Sequence, residues 1–269
     1  MSESSISFSE PVSKETANQL TIEYLKYTLY CRGQFPFPLD QLKKSVVRSA
    51  LQRESLKNDN HLIFSDNPNL QFNRFGLVPK QNFTMDRKKH LYEENIKKFD
   101  EFFNELLEIL EKKDVLEVVM NLGPNMMHPK ELHHITLPLD CDHAQCSEKF
   151  VPFDKCRLQF FKSVLHENIL QDIKVDCLMK ISILLLLRTD DALTQQMEQK
   201  NFYTIPKRCK QVTVHFNNSC QVSDTDFANF TDDSVTNCSE ISAQNKGLWV
   251  KLKPDLKGFK DLMDDKKAL

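Results

Sequence analysis

Glycine is scarce in this sequence: five residues in 269, where average usage of about 7% would give roughly 19. Gly33, Gly76, Gly123, Gly247 and Gly258 never stand close together. A dinucleotide-binding fingerprint needs three clustered glycines, and a Walker loop needs two followed by Lys-Ser/Thr, because only bare backbone wraps a phosphate that tightly. Neither pattern occurs, nor does the G-x-S-x-G turn that exposes a hydrolase serine. Enzymes of those kinds are excluded. An excess of one charge is also missing: 36 Lys+Arg offset 38 Asp+Glu, giving a net −2 and a pI near 6.5, which removes the electrostatic reason to expect nucleic acid. Long apolar runs are absent too. The longest, Ile181 to Leu187, follows Lys180 and ends at Arg188, far short of the ~20 residues that span a bilayer, so no membrane partner is expected.

The first ten residues have no basic stretch leading into an apolar one, which speaks against a signal peptide. Eight cysteines and the sequons at Asn82, Asn217, Asn229 and Asn237 invite a secreted reading. Without a signal peptide the sequons meet no glycosylation machinery. The cysteines, about 3% of the chain, are too sparse for a disulfide scaffold. Reduced thiols in the cytosol or nucleus are the expectation.

What is present reads as one α+β domain over 13–260, between a flexible tail at 1–12 and another at 261–269. Ser13 caps a helix running to about Cys31, with Leu20, Tyr24, Leu25 and Leu29 on a broad face; Arg32, Gly33, Pro36 and Pro38 stop it. A short helix is expected near 39–51, then a long Asn/Asp/Pro-rich loop over 54–82. Asp86–Lys112 carries Phe99, Phe102, Phe103, Leu106 and Leu110 at helical spacing, opposite a charged face. Such an aromatic stripe belongs to a central helix resting on a sheet. Val115–Leu122, His134–Leu139, Asp176–Leu187, the alternating Cys209–Phe216 and Leu248–Lys253 supply the strands, with a solvated acidic loop at 217–246 between the last two. The pattern predicts helices on one face of a mainly antiparallel sheet.

Asp154–Glu167 forms a further helix, with Asp154 as its cap. Cys156, Leu158, Phe160, Phe161, Val164 and Leu165 spread over an arc of about 200°, roughly twice what one sheet contact needs. Two readings stay open. The helix is buried on two sides by its own domain, or part of the arc, particularly Phe161 and Leu165, docks a partner.

Catalytic chemistry finds no motif. The cluster His128, His133, His134, Cys141, His143 and Cys146 has ligand-type side chains, but its order matches no zinc module; the expectation is a polar loop, with a zinc-stabilised interaction domain as the alternative. The carboxylates lie on solvated faces, and no local sequence recommends a Cys–His nucleophile pair.

Several blocks carry a resemblance in the right order. Leu25-Lys-Tyr-Thr-Leu-Tyr-Cys-Arg-Gly-Gln-Phe-Pro-Phe-Pro-Leu-Asp-Gln-Leu-Lys-Lys44, Leu122-Gly-Pro-Asn-Met-Met-His-Pro-Lys-Glu-Leu132, Tyr203-Thr-Ile-Pro-Lys-Arg208, and Trp249 followed by Lys257-Gly-Phe-Lys260 resemble the comet family of the spindle checkpoint. With Cys156–Leu165 they cover about a third of the chain. The resemblance implies a HORMA-like fold whose C-terminal strands close around the core as a safety belt. It implies a non-enzymatic adaptor without cofactor or metal that binds the closed conformer of the mitotic-arrest-deficient-two protein (Mad-two) as a heterodimer. The adaptor would present Mad-two to a AAA+ remodelling ATPase of the Pch-two type, disassembling the mitotic checkpoint complex and silencing the checkpoint. Nucleus and cytoplasm, with the spindle or kinetochore during mitosis, is the implied location. By carry-over, Phe161 is the key interface aromatic, with Phe160, Leu158 and Leu165 beside it and Tyr30 and Cys31 flanking. Some relatives carry Gln where this chain has Cys31. Lys200 and Lys207 fall near the ATPase contact. A Mad-two-like protein that wraps a peptide in its own belt is the remaining alternative.

Overall fold

The computed structural model describes residues 3–8, 12–49, 51, 80–138, 151–167, 170, 177–188, 193–201, 203–216 and 247–260, of which 3–8 and 80–86 are described by their backbone alone. Eight strands form one sheet: β1 (Glu3–Phe8), β2 (Val115–Gly123), β3 (Glu131–Thr136), β4 (Lys180–Leu187), β5 (Met197–Gln199), β6 (Lys210–Phe216), β7 (Leu248–Leu252) and β8 (Leu256–Lys257). Their order is β1-β6-β3-β2-β4-β7-β5, with β8 also on β4. The β1–β6 and β3–β6 pairs are parallel, and the other pairs antiparallel. Helices α1 (Lys14–Cys31), α3 (Lys80–Lys112) and α4 (Phe153–His166), with α2 over residues 39–49, share one core cluster with the strands' inward positions. The expected mixed architecture is present.

The alternation of each strand settles its two faces. Val118, Met120 and Leu122 of β2 join the helix-side core, whereas Val119 joins Leu132, Leu184 and Cys209 on the opposite face. There the chain from Lys200 to Lys210 crosses the sheet, packing Tyr203 and Ile205 with Trp249 onto that second cluster. The sequence blocks Tyr203–Arg208 and Trp249 thus meet: the Tyr203 and Trp249 rings pack edge-on at 5.1 Å.

At its start, α1 behaves as its sequence predicts. Ser13 Oγ accepts a hydrogen bond from the Thr16 backbone N–H at 3.2 Å, satisfying one of the four donors a helix N-terminus leaves free. Ser13→Ala is expected to lower stability by about 1 kcal/mol, measured by urea unfolding. At the other end Gly33 adopts φ 62°, a left-handed conformation that glycine enters without a Cβ clash. The turn it makes lets Gly33 N–H reach Tyr30 O and Gln34 N–H reach Leu29 O, both at 2.9 Å, a Schellman closure. Gly258 has a different reason to be glycine: a Cβ there would collide with Gln34. The Lys257–Lys260 block is thereby laid against the α1 exit, with Phe259 N–H donating to Gln34 O at 3.0 Å.

Four expectations need correction. Residues 3–8, read as tail, form the edge strand β1; the alternation Ser5-Ile6-Ser7-Phe8 is the β signal beneath their polar composition. The long α3 begins at Lys80, so the end of the 54–82 loop is helical. Asp154 does not cap α4: the N-cap is Pro152, without a side-chain hydrogen bond, and Asp154 lies in the first turn, where its charge suits the helix dipole. The helix enclosed on most sides is α1, whose Asn18, Thr21 and Thr28 are buried with its apolar residues; α3 keeps a solvated face laced by pairs such as Lys98–Glu94 at 2.7 Å. The rest of the 54–82 loop, the 217–246 loop and the 261–269 tail lie outside the described residues.

Candidate partner-binding surface

The apolar arc of α4 splits in two. Cys156, Phe160 and Val164, at i, i+4 and i+8, are buried against α1 and the sheet. Leu158 is 59% and Leu165 53% exposed, and Phe161 is half-buried between the two sets. These three form an apolar ridge along the solvent side of the helix. Phe160 needs correction as a surface residue: it is 0% exposed, stacks on Phe216 at 5.5 Å and meets Tyr24 edge-on at 5.9 Å. Its ring instead supports Phe161, 5.5 Å away.

Beside the ridge, α1, α4 and residues 38–40 enclose an open cleft of about 300 Å³. Tyr27 and Phe161 pack edge-on at 5.5 Å along its wall, the favoured aromatic geometry. Tyr30 stands at the rim, 38% exposed, and Phe37, next to the lining residue Pro38, is 48% exposed. Arg157 Nε donates to Glu23 Oε2 at 2.5 Å across the two helices. Cys31 is half-buried behind Tyr27. Burial raises the pKa of its thiol, and burial with the thiol contact pushes the Tyr27 phenol up to about 12, so both are neutral at physiological pH. Tyr27, Glu23 and Arg157 were invisible as site residues in the sequence, because the pairing of α1 with α4 spans 134 positions.

Behind this surface lies a buried polar network. Arg32, 0% exposed, grips Glu131 with two hydrogen bonds, Nε to Oε2 at 2.5 Å and Nη2 to Oε1 at 2.6 Å. Its Nη1 donates to the Leu170 carbonyl, just beyond the α4 exit. The Tyr24 hydroxyl lies 2.8 Å from His133 Nδ1. Burial pushes the Tyr24 pKa up, so the phenol is protonated and can donate to that nitrogen. His133 Nε2 lies 3.2 Å from Glu131 Oε1, off the hydrogen-bonding line. Burial alone would raise the Glu131 carboxyl pKa, but the Arg32 hydrogen bonds and nearby His133 outweigh it and hold the value at about 2. Arg32 therefore ties together the α1 exit, β3 and the α4 exit, the frame on which Tyr30, Cys31 and Phe161 are mounted.

The other sequence candidates separate. Lys200 follows β5, at the sheet edge opposite β1; its ammonium pairs with Glu198, and its N–H donates to Trp249 O at 2.8 Å. Lys207 is exposed in the crossing that leads to β6. Within the His/Cys cluster, His133 is buried on the helix side, His134 Nε2 contacts Glu117 Oε2 at 2.9 Å on β2, and His128 is exposed. Cys141, His143 and Cys146 lie outside the described residues. Among the described residues no three His, Cys, Asp or Glu side chains gather to hold a metal ion, and no helix is long and apolar enough to cross a membrane.

An apolar ridge with an aromatic cleft beside it, on a mixed α+β domain, defines a protein-interaction class. Within that class, the chain belongs to the p31comet family. The family's sequence profile, described as "Mad1 and Cdc20-bound-Mad2 binding", matches residues 2–234. The chain is also similar to the human MAD2L1-binding protein, 21% identical over 207 residues that cover 77% of this chain and 67% of that one.

Proposed function

We propose that this chain is a non-enzymatic adaptor of the spindle checkpoint that binds closed Mad2 (Mad-two above) through the α4 ridge and the α1 exit. The observation that carries the reading is the exposed apolar ridge Leu158–Phe161–Leu165, continuous with Tyr30 and the cleft, in a family described by Mad2 binding. Delivery to a AAA+ ATPase of the Pch-two type, with Lys200 and Lys207 in that contact, extends the reading, as does disassembly of the mitotic checkpoint complex in nucleus and cytoplasm. An adaptor that binds only the closed conformer stabilises it. Opening Mad2 must then draw on ATP hydrolysis by the partner, which is consistent with a sequence that has no phosphate loop.

A HORMA-like reading of the sheet is part of the proposal. It is supported by β7, which pairs with β4 on one side and β5 on the other, while the chain after β5 crosses the outer face to β6.

Phe161→Ala is expected to weaken binding to Cdc20-bound Mad2 by ~2 kcal/mol or more, roughly thirtyfold, with an unchanged circular-dichroism spectrum. Isothermal titration calorimetry measures it. Unchanged affinity would remove the ridge from the interface.

A further inference from the structure

The ridge is charged differently on its two sides. At about 100° per residue, Arg157 lies between the ridge and the buried face, on the α1 side of α4, where it reaches Glu23. Around it stand three carboxylates. Glu23 is its direct partner, and the fields of Asp154 and Asp40 also stabilise the guanidinium charge. Asp40 lines the cleft. Neither Asp40 nor Asp154 has an ion-pair partner among the described residues. The other cation at this cleft, Lys26, sits 5.6 Å over the Phe103 ring. Asp154, by the same rotation, falls in line with the ridge at the first turn of α4, so the α1 side and that end of the ridge together carry three carboxylates against two cations. On the far flank of the ridge, Lys155 and Lys162, seven residues apart and so on one face, are both exposed and unpaired among the described residues. No carboxylate of α4 shares that flank.

We propose that this asymmetry sets the direction in which the partner docks. The surface that covers the ridge presents a basic group over the Asp40–Asp154 side and an acidic group over Lys155 and Lys162. Apolar contact supplies most of the affinity but tolerates the helix being approached from either direction; a charge gradient across it does not. Complementary charges accelerate correct encounters and penalise reversed ones. This inference rests on the ridge being the Mad2 interface.

The test uses the full chain, Cdc20-bound Mad2 and two double charge reversals, Asp40→Lys/Asp154→Lys and Lys155→Glu/Lys162→Glu. Surface plasmon resonance gives association rate and affinity at low and high salt. At low ionic strength each double variant is expected to bind about tenfold more weakly, mainly through slower association. The difference should shrink as salt screens the charges. Phe161→Ala, run in parallel, should lose affinity at both salt concentrations. If both reversals bind as the parent does while Phe161→Ala is weakened, the charge inference is overturned and the interface stands. Tighter binding by either reversal overturns it as well. If Phe161→Ala is also silent, the interface itself is wrong.

Discussion

Arg32→Met is expected to lower the unfolding free energy by about 3–5 kcal/mol, a large fraction of the 5–15 kcal/mol typical of a domain. The loss comes less from the attraction between Arg32 and Glu131 than from what remains. Glu131 is 1% exposed, and without the guanidinium its carboxylate is a buried, uncompensated charge. The Leu170 carbonyl loses its donor as well. Urea unfolding at neutral pH measures the effect. The pH dependence has a definite sign. With a folded-state pKa of about 2 against about 4.3 unfolded, Glu131 contributes stability that is fully present above pH ~4.3. That contribution is lost as the pH falls toward 2. In Arg32→Met burial raises the Glu131 pKa above its unfolded value, so the folded state then binds that proton more readily and the stability gap to the parent should narrow as the pH falls. Because Arg32 joins the exits of α1 and α4, the same variant should also weaken partner binding through displacement of Tyr30 and Phe161.

The second large effect separates two adjacent phenylalanines. Phe160→Ala removes a fully buried ring held by Tyr24, Phe216 and Phe161 and should cost about 3–5 kcal/mol of stability. Phe161→Ala removes a half-buried ring at the cleft and should cost far less. For partner affinity the order reverses in kind: Phe161 loses direct contact area, whereas Phe160 acts only by letting α4 shift. Thermal melts and calorimetry on the two variants give four numbers. Equal melting temperatures would contradict the burial difference on which the ridge is drawn.

Much of this arrangement was legible in the sequence where periodicity is strong. Leu20, Tyr24, Leu25 and Leu29 of α1, the aromatic stripe of α3 and the alternating Val212, Val214 and Phe216 of β6 all enter the core. The breadth of the α4 arc signalled a helix with more apolar surface than its domain needs, yet it could not divide Phe160 from Phe161. That division depends on Phe216 and Tyr24, which come from elements far apart in the chain. Strand β1 escaped because serine-rich composition outweighed a short alternation. The Arg32–Glu131 pair was illegible for a different reason. A fully buried arginine is exceptional, and only parallel and antiparallel pairings that bring β3 beside the α1 exit explain how its charge is matched. Glycine scarcity excluded phosphate-loop enzymes, and two of the five glycines have local tasks at Gly33 and Gly258.

The central claim is that this chain recognises the closed conformer of Mad2 through the α4 ridge. Calorimetric titration of the full chain with Mad2 locked closed, and separately with Mad2 locked open, tests it most directly. The account predicts saturable one-to-one binding to the closed form and none to the open form. Equal binding to both, or binding to neither, would contradict it.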